Sequence, residues 1–482
     1  MQIFKKIQLL LLKNGSANQT IAKNTFWLFA GQMISRLLRA AIVIYAARVL
    51  GSAGWGAFSY ALSIATFLTI FSDFGINALV TREASKNPEL KNRYLSTALV
   101  IKMGLVAILA LIVFTAGSAL TNIEAVKVLM PLVVLMFAFD TIRELATTVT
   151  RALERMEIEA FLVVITNFLI VVLGFLFLII APTPSALAAS YAAGSALGLL
   201  ISLFALRRHL QNIFSYFDRA LVKNIIMLAW PFGLLALLGI VMLNTDIIML
   251  GWMRTVEEVG FYATAQKPIQ LLYVIPALIA TAFFPSLSKL AADPTQKTSF
   301  EKIVERSLAV TTAIALPITV GGLLVSEKII FLLFGSGYQQ SVMPFAVLLL
   351  SLPIVFPSII ISNALFADNR QRDFIGYVAL GAGTNFLANW LLIPPYGIVG
   401  AAAATIMSNL ISNILLWFKM RLLARAKFNL FLMQPLAATA IMAAGVFILD
   451  KYKSPLILTV AAGGTLYIFL MRKFIQQKLM KN

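Results

Sequence analysis

Apolar residues dominate this chain in long runs, and short polar segments separate one run from the next. A helix needs about 20 apolar residues to cross the hydrocarbon core of a bilayer. Runs of that length predict about 14 spans, with bounds at 24–47, 56–80, 96–120, 128–150, 158–181, 185–206, 224–250, 261–285, 305–326, 341–366, 374–393, 397–418, 430–449 and 455–471. The pattern therefore predicts an all-α polytopic membrane protein.

The longest hydrophilic connection divides these spans into two groups of six. It covers residues 207–223 and predicts a cytoplasmic linker between an N-lobe at 24–206 and a C-lobe at 224–418. A final helix pair follows at 430–471. The dipeptide before span two, Leu50-Gly51, recurs before span eight as Leu250-Gly251, which favours a duplicated bundle.

Residues 1–23 precede the first span. Their apolar run is short for a signal sequence, and no small-residue cleavage site follows it. We therefore expect a retained cytoplasmic lead that lies on the membrane surface.

Composition and charge narrow the class of protein. With 60% hydrophobic and 12% charged residues, the chain is unlike soluble domains, in which about 25% are charged. Of the 39 lysines and arginines, 28 lie at the termini or in even-numbered loops and six in odd-numbered loops. This asymmetry predicts that both termini are cytoplasmic. We interpret the net charge of +19 as contact with anionic lipid and expect no nucleic-acid partner.

Nine charged residues lie at least four positions inside the ends of the predicted spans: Arg36, Arg39, Lys102, Arg143, Lys267, Asp73, Asp140, Glu144 and Asp246. An intramembrane charge usually faces the protein interior or a water-filled cavity. Arg36 and Arg39, three residues apart, share one helix face. They predict either the cationic wall of a cavity for an anionic substrate, or structural residues paired with acids on neighbouring helices.

The intramembrane acids admit several roles. Asp140, Arg143 and Glu144 share one face of span four. They form either a self-neutralising cluster or a site at which an acid takes up a coupling proton or sodium ion, or pairs with Arg36. Asp73 and Lys102 lie near the ends of their spans, where snorkelling to water accounts for them. Asp246, near the outer end of span seven, is interpreted as a gate or interface residue.

Two asparagine pairs lie in spans eleven and twelve, each pair at a spacing of four residues. They are Asn385 with Asn389 and Asn409 with Asn413. Interhelical hydrogen bonds are one interpretation, and a hydrophilic path for sugars is the other.

Enzyme chemistry is missing from the sequence. The chain has no cysteine, and no GxxxxGK[ST] loop occurs. The one histidine, His209, lies in a basic loop beside Arg207 and Arg208. We expect no catalytic residues, no metal site and no cofactor. The outside loops are short, which favours transport over synthesis.

Several stretches carry a family resemblance. They are ARVLGSAGWGAFSYALS after span one, FSDFGINALVTREASK closing span two, FFPSLSKL closing span eight, and LLFGSGYQQS with LIPPYGIVGAAAATIMSNLISNILLW in the last third. In order and spacing they resemble the polysaccharide transporters, or Wzx-type flippases, of the multidrug/oligosaccharidyl-lipid/polysaccharide exporter superfamily. The resemblance implies two six-helix lobes around a central cavity, with two further C-terminal helices.

The resemblance also implies a function. Such proteins move undecaprenyl-pyrophosphate-linked oligosaccharide from the inner to the outer leaflet of the bacterial cytoplasmic membrane, by alternating access, for surface polysaccharides such as O-antigen. Expected partners are this lipid-linked oligosaccharide, membrane lipids, polysaccharide polymerase machinery and a coupling proton or sodium ion. A cation-coupled drug or metabolite antiporter of the same superfamily is an alternative, and a non-transport partner of a sugar polymerase is another.

The resemblance also extends to individual residues. Ser35-Arg36 is similar to the Ser-Arg of related lipid II flippases, whose cavity arginines are thought to hold pyrophosphate. Lys267 stands where those proteins have a cavity arginine. It keeps the charge but loses the bidentate fork that arginine offers to phosphate. We expect Arg36 and Lys267 to contact the pyrophosphate, with Arg39 and Arg143 as further cations.

Overall fold

Helices make up nearly all of the computed structural model, which describes residues 17–117, 121–368, 370–423 and 433–479. No β-strand occurs in these ranges. The expected lead at 1–23 lies outside them up to residue 16, and residues 17–23 begin the first helix. The predicted all-α class is confirmed.

The chain forms two compact units, Met1–Asn244 and Thr245–Asn482. The first contains helices α1 (Ala17–Asp73), α2 (Ile76–Lys86), α3 (Lys91–Ala116), α4 (Glu124–Ala152), α5 (Met156–Ile180), α6 (Pro184–Ala205), α7 (Arg207–Leu210) and the first part of α8 (Arg219–Met253). Short 3₁₀ turns lie at Pro88–Leu90 and Ile213–Tyr216.

The second unit begins inside α8. Its other helices are α9 (Val256–Leu272), α10 (Val274–Ala291), α11 (Lys297–Leu324), α12 (Ser326–Phe334), α13 (Val342–Leu349), α14 (Leu352–Ala367), α15 (Gln371–Leu423), α16 (Met433–Lys451) and α17 (Leu456–Leu479). Turns of 3₁₀ helix lie at Pro294–Gln296 and Ser336–Ser341.

Two helices are too long for a single crossing. Helix α1 has 57 residues, which is about 86 Å at 1.5 Å per residue, against a hydrocarbon core of about 30 Å. It breaks at Gly51 (φ 66°, ψ 179°), between predicted spans one and two. Helix α15 breaks at Gly397 (φ 56°, ψ −133°), at the boundary of predicted spans eleven and twelve. Glycine suits both breaks because it tolerates positive φ.

In the described ranges, nine helices are long and apolar enough to cross a membrane, or up to eleven if each of two bent pairs counts as one span. The chain is therefore a multi-span membrane protein. The number fourteen stays a prediction.

Small residues set the packing of the first unit. A Cβ at Gly31 of α1 would lie 2.8 Å from the Cβ of Ala160 in α5, and one at Gly194 of α6 would lie 2.5 Å from Ile170 of α5. Glycine at such points lets membrane helices approach closely. Helix α5 is thus held between α1 and α6, which fixes the rotation of α1.

The last two helices pack on α11. The hydroxyl of Tyr467 in α17 donates a hydrogen bond of 2.5 Å to the carbonyl oxygen of Ala313. Met442 of α16 belongs to the same apolar cluster as Ala309 and Ala313.

Candidate functional site

Helix α1 exposes two chemically different faces. Gln32, Arg36 and Arg39 are all exposed and share one side of the helix, which we name the polar stripe. Ile34 and Leu37 are exposed on another side. An apolar exposed face suits lipid, whereas arginines at this depth require water or an anionic ligand. The helix therefore separates two environments.

The two arginines of the polar stripe differ in their contacts. The Nε of Arg39 donates a hydrogen bond to Oδ1 of Asn167 in α5. Among the residues that the structure describes, Arg36 forms no hydrogen bond and no ion pair. Arg39 is thus a link between α1 and α5, while the guanidinium of Arg36 keeps its donors available.

Helix α4 carries a charge cluster of its own. Arg143 donates to Oδ1 of Asp140 from Nε at 3.2 Å and from Nη2 at 3.1 Å. Both side chains are largely shielded from solvent. Glu144 is exposed beside them. The charge of Arg143 is therefore largely neutralised within its own helix.

The ammonium group of Lys102 does not extend to solvent. Its side chain is 0% exposed, and its Nζ lies 2.6 Å from Oδ1 of Asp73 and 2.9 Å from Oδ1 of Asn77. Snorkelling, expected from the sequence, is wrong for Lys102. This lysine instead joins α3 to the end of α1 and the start of α2.

In the second unit, Asp246 of α8 is the centre of a hydrogen-bond cluster. The residue is 1% exposed. Its Oδ1 accepts from Nδ2 of Asn385 at 3.0 Å and of Asn389 at 2.7 Å. Its Oδ2 accepts from the hydroxyls of Tyr262 at 2.5 Å and Thr405 at 2.6 Å. We name these five residues the Asp246 cluster. Four neutral donors surround one carboxylate, and no cation from the described residues pairs with it.

The break in α15 positions three members of this cluster. Asn385 and Asn389 precede Gly397, and Thr405 follows it. Pro394 and Pro395 cannot donate backbone hydrogen bonds, so carbonyl oxygens near the break lose their helical partners. Arg254, just after α8, donates to the oxygen of Ile393 at 2.8 Å and to that of Pro394 at 2.5 Å.

Other predicted site residues lie apart from the cluster. The Nδ2 of Asn413 donates to the backbone oxygen of Asn409 at 2.7 Å, within α15. Lys267 lies in α9 directly before Pro268 and is half-buried. It belongs to the second unit, whereas Arg36, Arg39 and Arg143 belong to the first.

Three further site residues, Tyr262, Thr405 and Arg254, were not among those predicted from the sequence. Tyr262 lies five residues before Lys267 in α9, so the resemblance at Lys267 is a nearby signal. Thr405 follows a run of four alanines, where a lone hydroxyl is conspicuous. Arg254 lies in a loop and offers no local signal, because its role depends on a break about 140 residues away.

An apolar cavity of about 690 Å³ lies within the second unit. Helices α9, α11, α16 and α17 contribute to its walls, with Pro317, Met442 and Gly463 among the lining residues. Thr459 and Tyr467 are the polar exceptions in this lining. In the described ranges, no group of three or more His, Cys, Asp or Glu residues could hold a metal ion.

Known proteins with similar sequence and fold agree on one class. A Haloferax volcanii protein named "Probable low-salt glycan biosynthesis flippase Agl15" is 22% identical over 407 residues, 82% of each chain. A Shigella flexneri protein named "Putative O-antigen transporter" is 22% identical over 424 residues, 84% of this chain and 98% of the relative. The structure of the lipid II flippase MurJ in an inward closed conformation matches with a TM-score of 0.79 at 17% identity, over 94% of this chain and 100% of that one.

The chain shares a polytopic helical fold with the lipid II flippase MurJ, and these two sequence relatives are named as a flippase and a transporter. Residues 21–291 match the family model described as polysaccharide biosynthesis protein, and the chain belongs to that family.

Proposed function

We propose that this protein is a flippase that moves undecaprenyl-pyrophosphate-linked oligosaccharide from the inner to the outer leaflet of the bacterial cytoplasmic membrane. Its two units work by alternating access, and both termini lie in the cytoplasm. Family membership and the flippase and O-antigen transporter named among its relatives support the substrate class. The distribution of basic residues between loops supports the orientation.

The observation that carries the proposal is the state of Arg36. It is an exposed cation on a membrane-spanning helix, without a partner among the described residues, on the side of α1 that faces away from the apolar stripe of Ile34 and Leu37. A cation at this depth is costly unless something compensates for it. A pyrophosphate supplies that compensation, because arginine donates two parallel hydrogen bonds to phosphate oxygens.

The remaining cations divide by their contacts. Lys267 is the second pyrophosphate contact in this proposal, as a point charge without a fork. Arg39 is already hydrogen-bonded to Asn167, and Arg143 is already paired with Asp140. Each therefore adds to the positive electrostatic potential around the pyrophosphate more than it donates direct hydrogen bonds to it. The apolar cavity of the second unit has a lining that suits part of the isoprenoid chain.

We assign sugar contact to asparagines that do not belong to the Asp246 cluster. Asn385 and Asn389 are buried and donate to Asp246, which favours the interhelical hydrogen-bond interpretation for this pair. Asn413 is partly exposed, and we assign it and Asn409 to the sugar path.

We further propose that the Asp246 cluster binds the coupling ion, a proton or Na⁺. A carboxylate withdrawn from water and paired with no described cation is costly in its charged form. Protonation or a bound cation removes that cost, and coupling ions in transporters are commonly held where a helix is discontinuous. The broken α15 places the side-chain amides of Asn385 and Asn389 and the hydroxyl of Thr405 around the carboxylate, and each of them donates a hydrogen bond to it. Asp73, Asp140 and Glu144 are secondary candidates, since Asp73 and Asp140 already have cationic partners.

The decisive experiment assigns the leaflet of the substrate. The protein is depleted in its native host, and pyrophosphate-linked oligosaccharide is probed with a glycosidase added outside spheroplasts. We expect the lipid-linked sugar to accumulate in a protected, inner-leaflet pool, and re-expression of the wild type to restore its access. Normal outer-leaflet arrival in a host without a second flippase would contradict the proposal. The cation-coupled antiporter would then be the better reading, since a buried carboxylate also suits that class.

A further inference from the structure

A groove in the first unit lies outside the proposed substrate site. Its walls come from α3 (Val100 and Ile101), from the first turns of α8, and from Phe217 of the preceding linker. Its volume is about 730 Å³. We name it the α3–α8 groove.

One face of α8 gives the groove its chemical character. Arg219, Val222, Lys223, Ile226 and Met227 all line it. Spacings of three and four residues place them on one side of the helix. The two cations occupy the first two turns, and the apolar residues Ile226 and Met227 extend about 6 Å further along the axis, at 1.5 Å per residue. The groove thus changes from cationic to apolar along its length.

Neither cation is neutralised by the described protein. Arg219 and Lys223 are exposed and form no hydrogen bond or ion pair with any residue in the described ranges. Asp218, next to them in sequence, is paired with Arg93, and its Oδ1 accepts from the backbone N–H of Ala220 at 2.9 Å. Its charge is therefore already balanced.

We propose that the α3–α8 groove binds an anionic phospholipid, with the phosphate between Arg219 and Lys223 and an acyl chain along Ile226 and Met227. Basic pockets between membrane helices bind acidic headgroups, and the exposed apolar residues suit a chain that enters from the bilayer. A free phosphate would leave the apolar walls uncovered. A zwitterionic lipid would leave the pair of cations without a net opposite charge.

The bound lipid would bridge α3 and α8. Asp218, directly before α8, meets α3 through its ion pair with Arg93 and through Oγ1 of Thr97, which accepts from the N–H of Asp218 at 3.1 Å. Deeper in the unit, Ile225 and Ala229 of α8 share an apolar cluster with Leu95 and Ala98 of α3. An occupant in contact with both walls would hold the start of α8 against α3. Transport in vesicles should then depend on anionic lipid.

Photo-crosslinking tests the site in the full-length protein. The protein is reconstituted in phosphatidylcholine vesicles with trace photoactivatable phosphatidylglycerol or its phosphatidylcholine counterpart, and the crosslinked peptide is found by mass spectrometry. We expect phosphatidylglycerol to mark the segment 217–227, and unlabelled phosphatidylglycerol to compete. The double variant R219Q/K223Q should weaken this labelling about fivefold per charge, roughly thirtyfold together.

Matched controls separate the local effect from total charge. The variant R207Q/R208Q removes the same charge from the same linker outside the groove, and labelling should stay within about twofold of wild type. The exchange R219K/K223R keeps both charges and should retain labelling, while V222W should block the chain. Equal labelling by both lipids, or no loss in R219Q/K223Q, would overturn the proposal. Displacement of the phospholipid by undecaprenyl pyrophosphate at equal concentration would also overturn it and assign the groove to substrate.

Discussion

Lys102 and Asp73 form an ion pair of 2.6 Å in which the two partners differ in exposure: the lysine side chain is 0% exposed and the aspartate side chain 32%. Asp73 is the last residue of α1, and Phe74 (φ 41°) and Gly75 (φ 82°) separate it from α2. The pair therefore ties α3 to the bend between α1 and α2. Because the two side chains differ in exposure, we expect substitutions of the two residues to lower stability by different amounts.

Loss of the aspartate should harm stability more than loss of the lysine. Asp73→Asn leaves a fully buried ammonium without a counter-charge, and we expect a loss of about 3 kcal/mol in the free energy of unfolding. Lys102→Met leaves a carboxylate that reaches solvent, so about 1 kcal/mol is expected. Denaturant titrations in detergent measure both values. The double variant should be more stable than Asp73→Asn alone, and equal losses in the single variants would refute the argument.

Arg36→Ala should abolish most flipping without a fall in membrane abundance, because the side chain is exposed and has no described partner to lose. Loss of a desolvated charge contact corresponds to at least about a thirtyfold lower rate. Arg36→Lys keeps the charge and should fall between Ala and wild type. The measurement is the initial rate of substrate transfer in proteoliposomes.

Leu37→Ala is the control for that experiment, since it truncates an exposed apolar side chain next to Arg36 on a different face. It should stay within about twofold of wild type, as surface substitutions usually do. A collapse of abundance in Arg36→Ala would show a structural role for this arginine.

Asp246→Asn should uncouple transport. The amide cannot exchange a proton or balance a bound Na⁺, so an imposed gradient should no longer accelerate flipping. Rates are compared with and without a proton gradient, and then a sodium gradient, in sealed vesicles. Asp140→Asn, an equivalent change in the first unit, serves as control and should still respond. A response retained by Asp246→Asn but lost by Asp140→Asn would move the coupling site to α4.

Arg254→Gln should destabilise the break in α15. The guanidinium satisfies the carbonyl oxygens of Ile393, which is buried, and of Pro394, which is exposed. Leaving the buried acceptor unsatisfied costs about 1 to 3 kcal/mol. Because the break sets Asn385 and Asn389 against Thr405, coupling should weaken together with thermal stability. Arg254→Lys retains one donor direction and should show about half the loss. Normal stability in Arg254→Gln would show that water replaces these hydrogen bonds.

Local patterns were sufficient for part of this fold. The apolar runs predicted the all-α membrane class because span length is a property of contiguous residues. Gly51 breaks α1 between two predicted spans, where the apolar pattern is interrupted and only glycine tolerates positive φ well. The exposure of Arg36 agrees with the cavity interpretation but does not test its ligand.

The sequence by itself determined a polytopic helical membrane protein of the polysaccharide biosynthesis family and the positions of its intramembrane charges. Only the tertiary structure decided which charges are already neutralised: Lys102 by Asp73, Arg143 by Asp140, and Asp246 held by donors on α9 and on both sides of a break in α15. The physical reason is that the length of an apolar run and the charge of a loop depend only on residues that are adjacent in the sequence. Hydrogen bonds between helices, such as those of Lys102 and Asp246, depend on which helix faces meet, and the partners of Asp246 on α15 lie more than 100 positions away in the chain.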